Sequence, residues 1–130
     1  MSDLELLNEA IKARGNAYAP YSGFKVGAAV LTGSGKVFCG CNVENAAYSA
    51  CLCAERVAIS KAISEGEREF EAIAVVGGKD GLIFCPPCGE CRQVLAELCG
   101  LDLKVILGTP DNIKIFTLRE LLPVAFGELK

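Results

Sequence analysis

The chain has 130 residues, the size of one ordinary domain, and 52% hydrophobic against 22% charged residues, a balance that excludes intrinsic disorder. Thirteen basic and sixteen acidic residues leave a net charge of −3, so there is no basic excess to hold a nucleic-acid backbone. Histidine is absent, which removes Ser-His-Asp and Cys-His catalysis and every metal site built on imidazole.

Eight cysteines are many for this length. Met1 to Ala10 has no apolar segment of the kind a signal peptide carries, and no apolar run reaches the ~18–20 residues of a membrane span. A reducing cytoplasm is the expected compartment, and there clustered cysteines serve more often as metal ligands or catalytic groups than as disulfides. No repeat or linker divides the chain, so residues 1–130 read as one domain.

The elements follow in order. Ser2 and Glu5 form a capping-box pattern for a helix with Leu4, Leu7 and Ile11 at helical spacing, stopped by Gly15. Phe24 to Leu31 reads as a strand, Gly33-Ser34-Gly35 as a turn, and Lys36 to Cys41 as the answering strand of a hairpin. Asn42 to Cys51 reads as a loop. Cys53 to Ser64 is helical, with Val57, Ala58 and Ile63 as its apolar side, and Gly66 ends it. A short strand at Ala72 to Val76 precedes the stiff Cys85-Pro86-Pro87 loop, and a helix runs from Cys88 to Cys99. Strands at Leu103 to Leu107 and Ile113 to Phe116 and a short helix at Leu118 to Leu122 close the chain. The order α-β-β-α-β-α-β-β-α implies an α/β layered domain with a mixed sheet covered by helices.

The chemistry concentrates in Cys53-Ala54-Glu55 and Pro87-Cys88-Gly89-Glu90-Cys91. Both segments start a predicted helix, where free N–H groups and the helix dipole favour thiolate charge. Three thiolates on zinc leave one tetrahedral position open, as catalytic sites do, whereas structural sites close all four. Glu55, in the first turn after Cys53, is placed to move protons beside the metal without binding it. This set of three ligands with a separate Glu is the zinc-deaminase signature. Arg56 is expected to hydrogen-bond the cysteine sulfurs and draw off their charge. The rival readings are a redox pair or a closed structural zinc site with Cys51, Cys85 or Cys99 as fourth ligand. Otherwise Cys39, Cys41, Cys51, Cys85 and Cys99 read as small buried hydrophobes.

These segments closely resemble the small, single-domain cytidine deaminases, from Ala17 to Phe126. The resemblance rests on Tyr18-Ala19-Pro20-Tyr21-Ser22, Phe24 to Ala29, Asn42 to Ser49, Cys53 to Arg56, Pro87 to Gln93, and Glu120 to Pro123 with Phe126. It implies a three-layer α/β/α cytidine-deaminase-like fold with a mixed sheet of about five strands. It also implies one Zn2+ per subunit on Cys53, Cys88 and Cys91, with Glu55 as proton shuttle. Asn42 and Glu44 would bind the ribose hydroxyls, Phe24 would pack on the pyrimidine, and the Ala54 N–H and a carbonyl near Pro86–Pro87 would read the base edge. Ala46, Tyr48 and Phe126 would reach the site of a neighbouring subunit in a homotetramer. The implied reaction is hydrolytic deamination of cytidine and 2′-deoxycytidine in pyrimidine salvage, with ammonia released. The implied partners are a nucleoside, no nucleic-acid polymer and no membrane. One departure stands out: Pro86 occupies a place that is usually Ser or Thr in that family. The rivals are a deaminase of another cytosine-like compound such as blasticidin S, a polynucleotide deaminase, and a zinc-stabilised binding module.

Overall fold

A computed structural model of the chain describes residues 1–129. Five strands form one mixed sheet in the order β2-β1-β3-β4-β5. Strand β1 (Lys25–Thr32) pairs antiparallel with both β2 (Val37–Cys41) and β3 (Phe70–Gly78). Strand β3 runs parallel to β4 (Lys104–Thr109), and β4 pairs antiparallel with β5 (Asn112–Thr117). The one parallel step is where the chain needs a long crossover, and α3 (Gly89–Cys99) supplies it.

Helices cover both faces, as a sheet with two apolar faces requires. On one face α1 (Asp3–Arg14) buries Leu6, Leu7 and Ala10 against Ala29, Ala74, Val76 and Ile106. The predicted capping box is formed, with Ser2 and Glu5 each accepting from the other's backbone N–H. Leu4 is exposed, because the buried stripe runs through Leu6, Leu7, Ala10 and Ala13.

On the other face α2 (Ala54–Ser64) and α3 pack with Ile59, Ile73, Val75, Leu95, Val105 and Leu107 in the larger core. The short helix α4 (Leu118–Leu121) adds the buried Leu118. The apolar side of α2 matches the sequence reading at Ala58 and differs from it at Val57 and Ile63. It is Ala54, Ala58, Ile59 and Ala62 that are buried, while Val57 and Ile63 are half-buried. Gly40 gives the reason: a Cβ there would stand 2.6 Å from the Ala54 carbonyl oxygen and from the Ala58 nitrogen. The first turn of α2 therefore lies directly on β2, and only small side chains fit between them. This close approach fixes where α2 begins. A 3-10 turn at Tyr48–Ala50, within the segment read as loop, leads into that point.

Candidate active site

The starts of α2 and α3 meet. Cys53 is the N-cap residue of α2 and Cys88 that of α3, both in extended backbone, and Cys91 lies in the first turn of α3. The Cys88 sulfur accepts the Cys91 N–H at 3.4 Å, while the Cys53 sulfur makes no cap bond and is left free to face the others. The three sulfurs lie within 4.8 Å of one another, with Cys53 and Cys88 at 3.9 Å. A tetrahedral ion with ~2.3 Å bonds to sulfur needs sulfurs about 3.8 Å apart, so the set fits one zinc ion. Among the described residues these three form the one cluster of at least three Cys, Asp or Glu ligand atoms gathered this closely.

The charges are arranged to match. The Cys53 thiol is pulled down to about 5, first by the hydrogen bond from Cys91 and further by Arg56 and Cys88. The same bond raises Cys91, with burial adding to it. Cys53 is thus the thiolate and Cys91 keeps its proton until a cation displaces it.

Arg56 stands beside the sulfurs. Its Nη2 donates to the Cys51 carbonyl at 3.1 Å and to the Cys53 sulfur at 3.8 Å, and lies 3.8 Å from a Glu90 carboxylate oxygen. Its Nε is buried without a partner, a donor held in reserve at the sulfur cluster. Arg92 turns elsewhere. It donates to the carbonyls of Pro87 and Leu121, both at 2.7 Å, clamping the proline loop to the C-terminal segment. Gln93 similarly holds the Phe126 carbonyl at 3.0 Å.

Glu55 is 4% exposed, in the first turn of α2. Burial pushes its carboxyl up to about 7, and the nearby Cys53 charge adds to the rise. A carboxyl near neutrality can both take and give a proton at physiological pH.

A cleft of about 840 Å³ opens over this cluster, large enough for a small molecule. Cys53, Cys88, Ala54, Glu55 and Arg56 line one end, and Asn42, Glu44 and Tyr48 the other. Asn42 and Glu44 also hold loops in place. The Asn42 amide bonds the Val26 N–H and the Phe24 carbonyl, and Glu44 accepts the N–H groups of Tyr21 and Ser22. Phe24 lies outside the cleft lining. A Cβ on Gly77 would meet the Phe24 ring at 3.1 Å and the Cys85 sulfur at 2.7 Å, so the two side chains converge over this glycine, and Cys85 does line the cleft. Ala46 is exposed in the loop before the 3-10 turn, and Phe126 is 84% exposed; neither lines the cleft of a single chain.

The spare cysteines are half-buried. Cys85 is pushed up to about 11 by burial, the opposite of a ligand thiol. None of Cys51, Cys85 and Cys99 joins the sulfur cluster, so no fourth cysteine closes it as in a structural zinc site.

The family model for the cytidine and deoxycytidylate deaminase zinc-binding region matches residues 1–109. The chain belongs to the cytidine and deoxycytidylate deaminase family. It is a member of a zinc-dependent hydrolase family. It is 54% identical to a cytidine deaminase of Halalkalibacterium halodurans over 122 residues, 93% of this chain and 91% of that relative. A cytidine deaminase of Sporosarcina psychrophila is 48% identical over 95% of this chain and 90% of its own length. The crystal structure of the Burkholderia pseudomallei cytidine deaminase superimposes with a TM-score of 0.90 at 50% identity, covering 97% of this chain and all of that one. The expected three-layer deaminase fold is therefore the fold found.

Two deaminase-site features escaped the sequence reading. Glu90 reaches Arg56, and the Ser22 side chain reaches Glu44. Neither pair has a spacing that local sequence rules detect.

Proposed function

We propose that this deaminase removes the 4-amino group of cytidine and 2′-deoxycytidine by hydrolysis, giving the uridine product and ammonia. One observation carries the reading: a buried carboxyl, Glu55, sits beside three gathered cysteine sulfurs at the end of a nucleoside-sized cleft.

Cys53, Cys88 and Cys91 would hold the metal. When bound, zinc lowers the pKa of water into the neutral range and so makes hydroxide available at C4. Glu55 takes the proton released from water at a carboxylate oxygen. It hands that proton to N3 of the ring, which breaks the aromatic system. With the water's oxygen now bonded to C4, Glu55 takes the remaining proton from that oxygen and delivers it to the exocyclic nitrogen, so that the C4–N bond breaks as C4=O forms and ammonia leaves. One water is consumed per ammonia released. Burial of Glu55 supports this double duty, because its affinity for a proton lies near that of the surroundings at neutral pH. Arg56 offsets thiolate charge, keeping the cluster from being too electron-rich to polarise water.

Asn42 and Glu44 bind the sugar hydroxyls, and a carboxylate there disfavours a 5′-phosphate. The Ala54 N–H and the Pro86 carbonyl read the base edge. The Pro87 carbonyl is already taken by Arg92, which supports Pro86 in that role. Phe24 packs against the base. Ala46, Tyr48 and Phe126 complete the site of a neighbouring subunit in a homotetramer. The bare aromatic side chains of Tyr48 and Phe126, both 84% exposed, support that assembly. The whole chain acts as one catalytic domain in cytoplasmic pyrimidine salvage. No helix among the described residues is long and apolar enough to cross a membrane.

The test is to add cytidine to the zinc-loaded protein and follow the ultraviolet change as the amine is lost. Uridine formed by the parent and not by Glu55→Gln supports the reading. No uridine from a zinc-bound, assembled parent overturns the substrate and points to another cytosine-like amine.

A further inference from the structure

The sugar end of the cleft is built by two loops far apart in sequence, and one hydroxyl joins them. Ser22 Oγ accepts the Phe24 N–H at 3.0 Å and donates to Glu44 Oε2. The other carboxylate oxygen, Oε1, accepts the N–H groups of Tyr21 at 2.9 Å and Ser22 at 3.1 Å. A carboxylate has about four acceptor positions, so these three donors leave about one for a ligand. Both Ser22 and Glu44 line the cleft.

We infer that Ser22 is a positioning residue for the sugar: its hydroxyl fixes the rotation of the Glu44 carboxylate so that the remaining acceptor position meets one sugar hydroxyl. This rests on the proposed nucleoside reading, in which Asn42 and Glu44 bind the sugar hydroxyls, and it gives the 3′-OH to Glu44. Two backbone donors on the same oxygen leave the carboxylate able to swing about that anchor. The Ser22 hydroxyl, on the second oxygen, removes the swing. Its own bond from the Phe24 N–H locks the hydroxyl hydrogen toward Glu44, since the oxygen is already engaged as an acceptor. The sugar-binding carboxylate and the backbone of the residue proposed to hold the base thus move as one unit. The Ser22 hydroxyl is also the strongest influence holding the Glu44 carboxyl below the ordinary range.

The experiment compares Ser22→Ala, Ser22→Thr and the parent, zinc-loaded, on cytidine and on 3′-deoxycytidine, which lacks the hydroxyl Glu44 is to meet. Ser22→Ala is expected to raise KM for cytidine about tenfold or more, the effect of losing a hydrogen bond to a charged group. Its kcat should stay within about twofold, and its KM for 3′-deoxycytidine within about threefold. Ser22→Thr keeps the hydroxyl and should recover most of the loss. An equal KM rise on both substrates would show that Ser22 merely shapes the loop and would overturn the inference. So would no change on either. Should Ser22→Ala fail to fold, Ser22→Cys carries the same comparison with a weak donor of similar size. A parent that deaminates neither compound fails the nucleoside reading itself, and is distinguished from the other outcomes because Ser22 never enters it.

Discussion

The two ends of the cleft are made in different ways. At the metal end, Cys53, Glu55, Cys88 and Cys91 belong to two helix starts, and the peptide geometry of those starts aims the sulfurs. At the end proposed for the sugar, Asn42, Glu44 and Ser22 sit on loops held by side-chain bonds to backbone groups about twenty residues away. The first end is set by local backbone and includes the buried Cys91 and Glu55; the second is set by cross-links and has no buried member among Asn42, Glu44 and Ser22. The metal end should therefore fail all at once when a group is removed. The sugar end should fail by degrees and mainly in affinity.

The sharpest break in that comparison comes from Glu55. Glu55→Gln keeps the size and the helix but cannot accept a proton. We expect kcat to fall by about 10³-fold or more, with zinc content unchanged and the fold retained. Retention of a tenth of the parent rate would remove Glu55 from the proton path. Chelating the metal should abolish turnover, and readdition of zinc should restore it.

The same residue makes a pH prediction for the chelated protein. The Glu55 carboxyl is raised from 4.5 to about 7 by burial, so folding favours its neutral form. Below about pH 4.5 it is protonated folded or unfolded and costs nothing. Between about 4.5 and 7 the unfolded chain releases its proton first, so stability falls. Above 7 the cost is complete, about 3 kcal/mol at ~1.36 kcal/mol for each pKa unit. Glu55→Gln removes this dependence. In urea unfolding, the stability of the variant relative to the parent should climb from pH 4 to pH 8 by about that amount. A flat difference would mean that the carboxyl is not desolvated.

Arg56→Ala should cost about 10- to 100-fold in turnover or zinc affinity, the usual effect of losing a partner of metal ligands. Zinc retention read by a colorimetric chelator and turnover on cytidine together separate the two. Unchanged values for both would leave the contact with the Cys53 sulfur without a role.

These contrasts also explain what the chain reveals before it folds. Cys53-Ala54-Glu55 and Cys88 to Cys91 were readable because residues close in sequence at a helix start must be close in space. The strands, too, were readable, as short apolar runs such as Ala72 to Val76 and Leu103 to Leu107. The buried side of α2 was readable from its own pattern only at Ala58, since Val57 and Ile63 look more apolar than Ala54 and Ala62. The choice is made by Gly40 on another strand, whose missing side chain lets the backbone of Ala54 and Ala58 come down onto the sheet. Ser22 with Glu44 and Arg92 with Leu121 were equally hidden, because each pair exists only once the sheet has brought two distant loops together. Asn42 and Glu44 read equally as loop caps or sugar ligands. The caps are formed, and Asn42→Ala is expected to cost about 1–3 kcal/mol from the two backbone groups it leaves behind, a loss visible in chemical denaturation.

The smallest expected effect belongs to Pro86, which lines the cleft and is proposed to meet the base edge. Pro86 has no N–H and is followed by another proline, so its backbone is held extended from both sides. Pro86→Ser returns one N–H and some freedom. The adjoining Pro87 carbonyl stays tied to Arg92 at 2.7 Å, and the next residue, Cys88, is fixed as the α3 cap. The Pro86 carbonyl therefore keeps its direction after substitution. Stability should drop by no more than about 1 kcal/mol, the entropy a proline withholds from the unfolded chain. The kcat/KM for cytidine should stay within about threefold. A larger loss of turnover at unchanged zinc content would mean that the stiffness of this loop itself orients the base, and that the base edge is organised like the rigid metal end rather than the cross-linked sugar end.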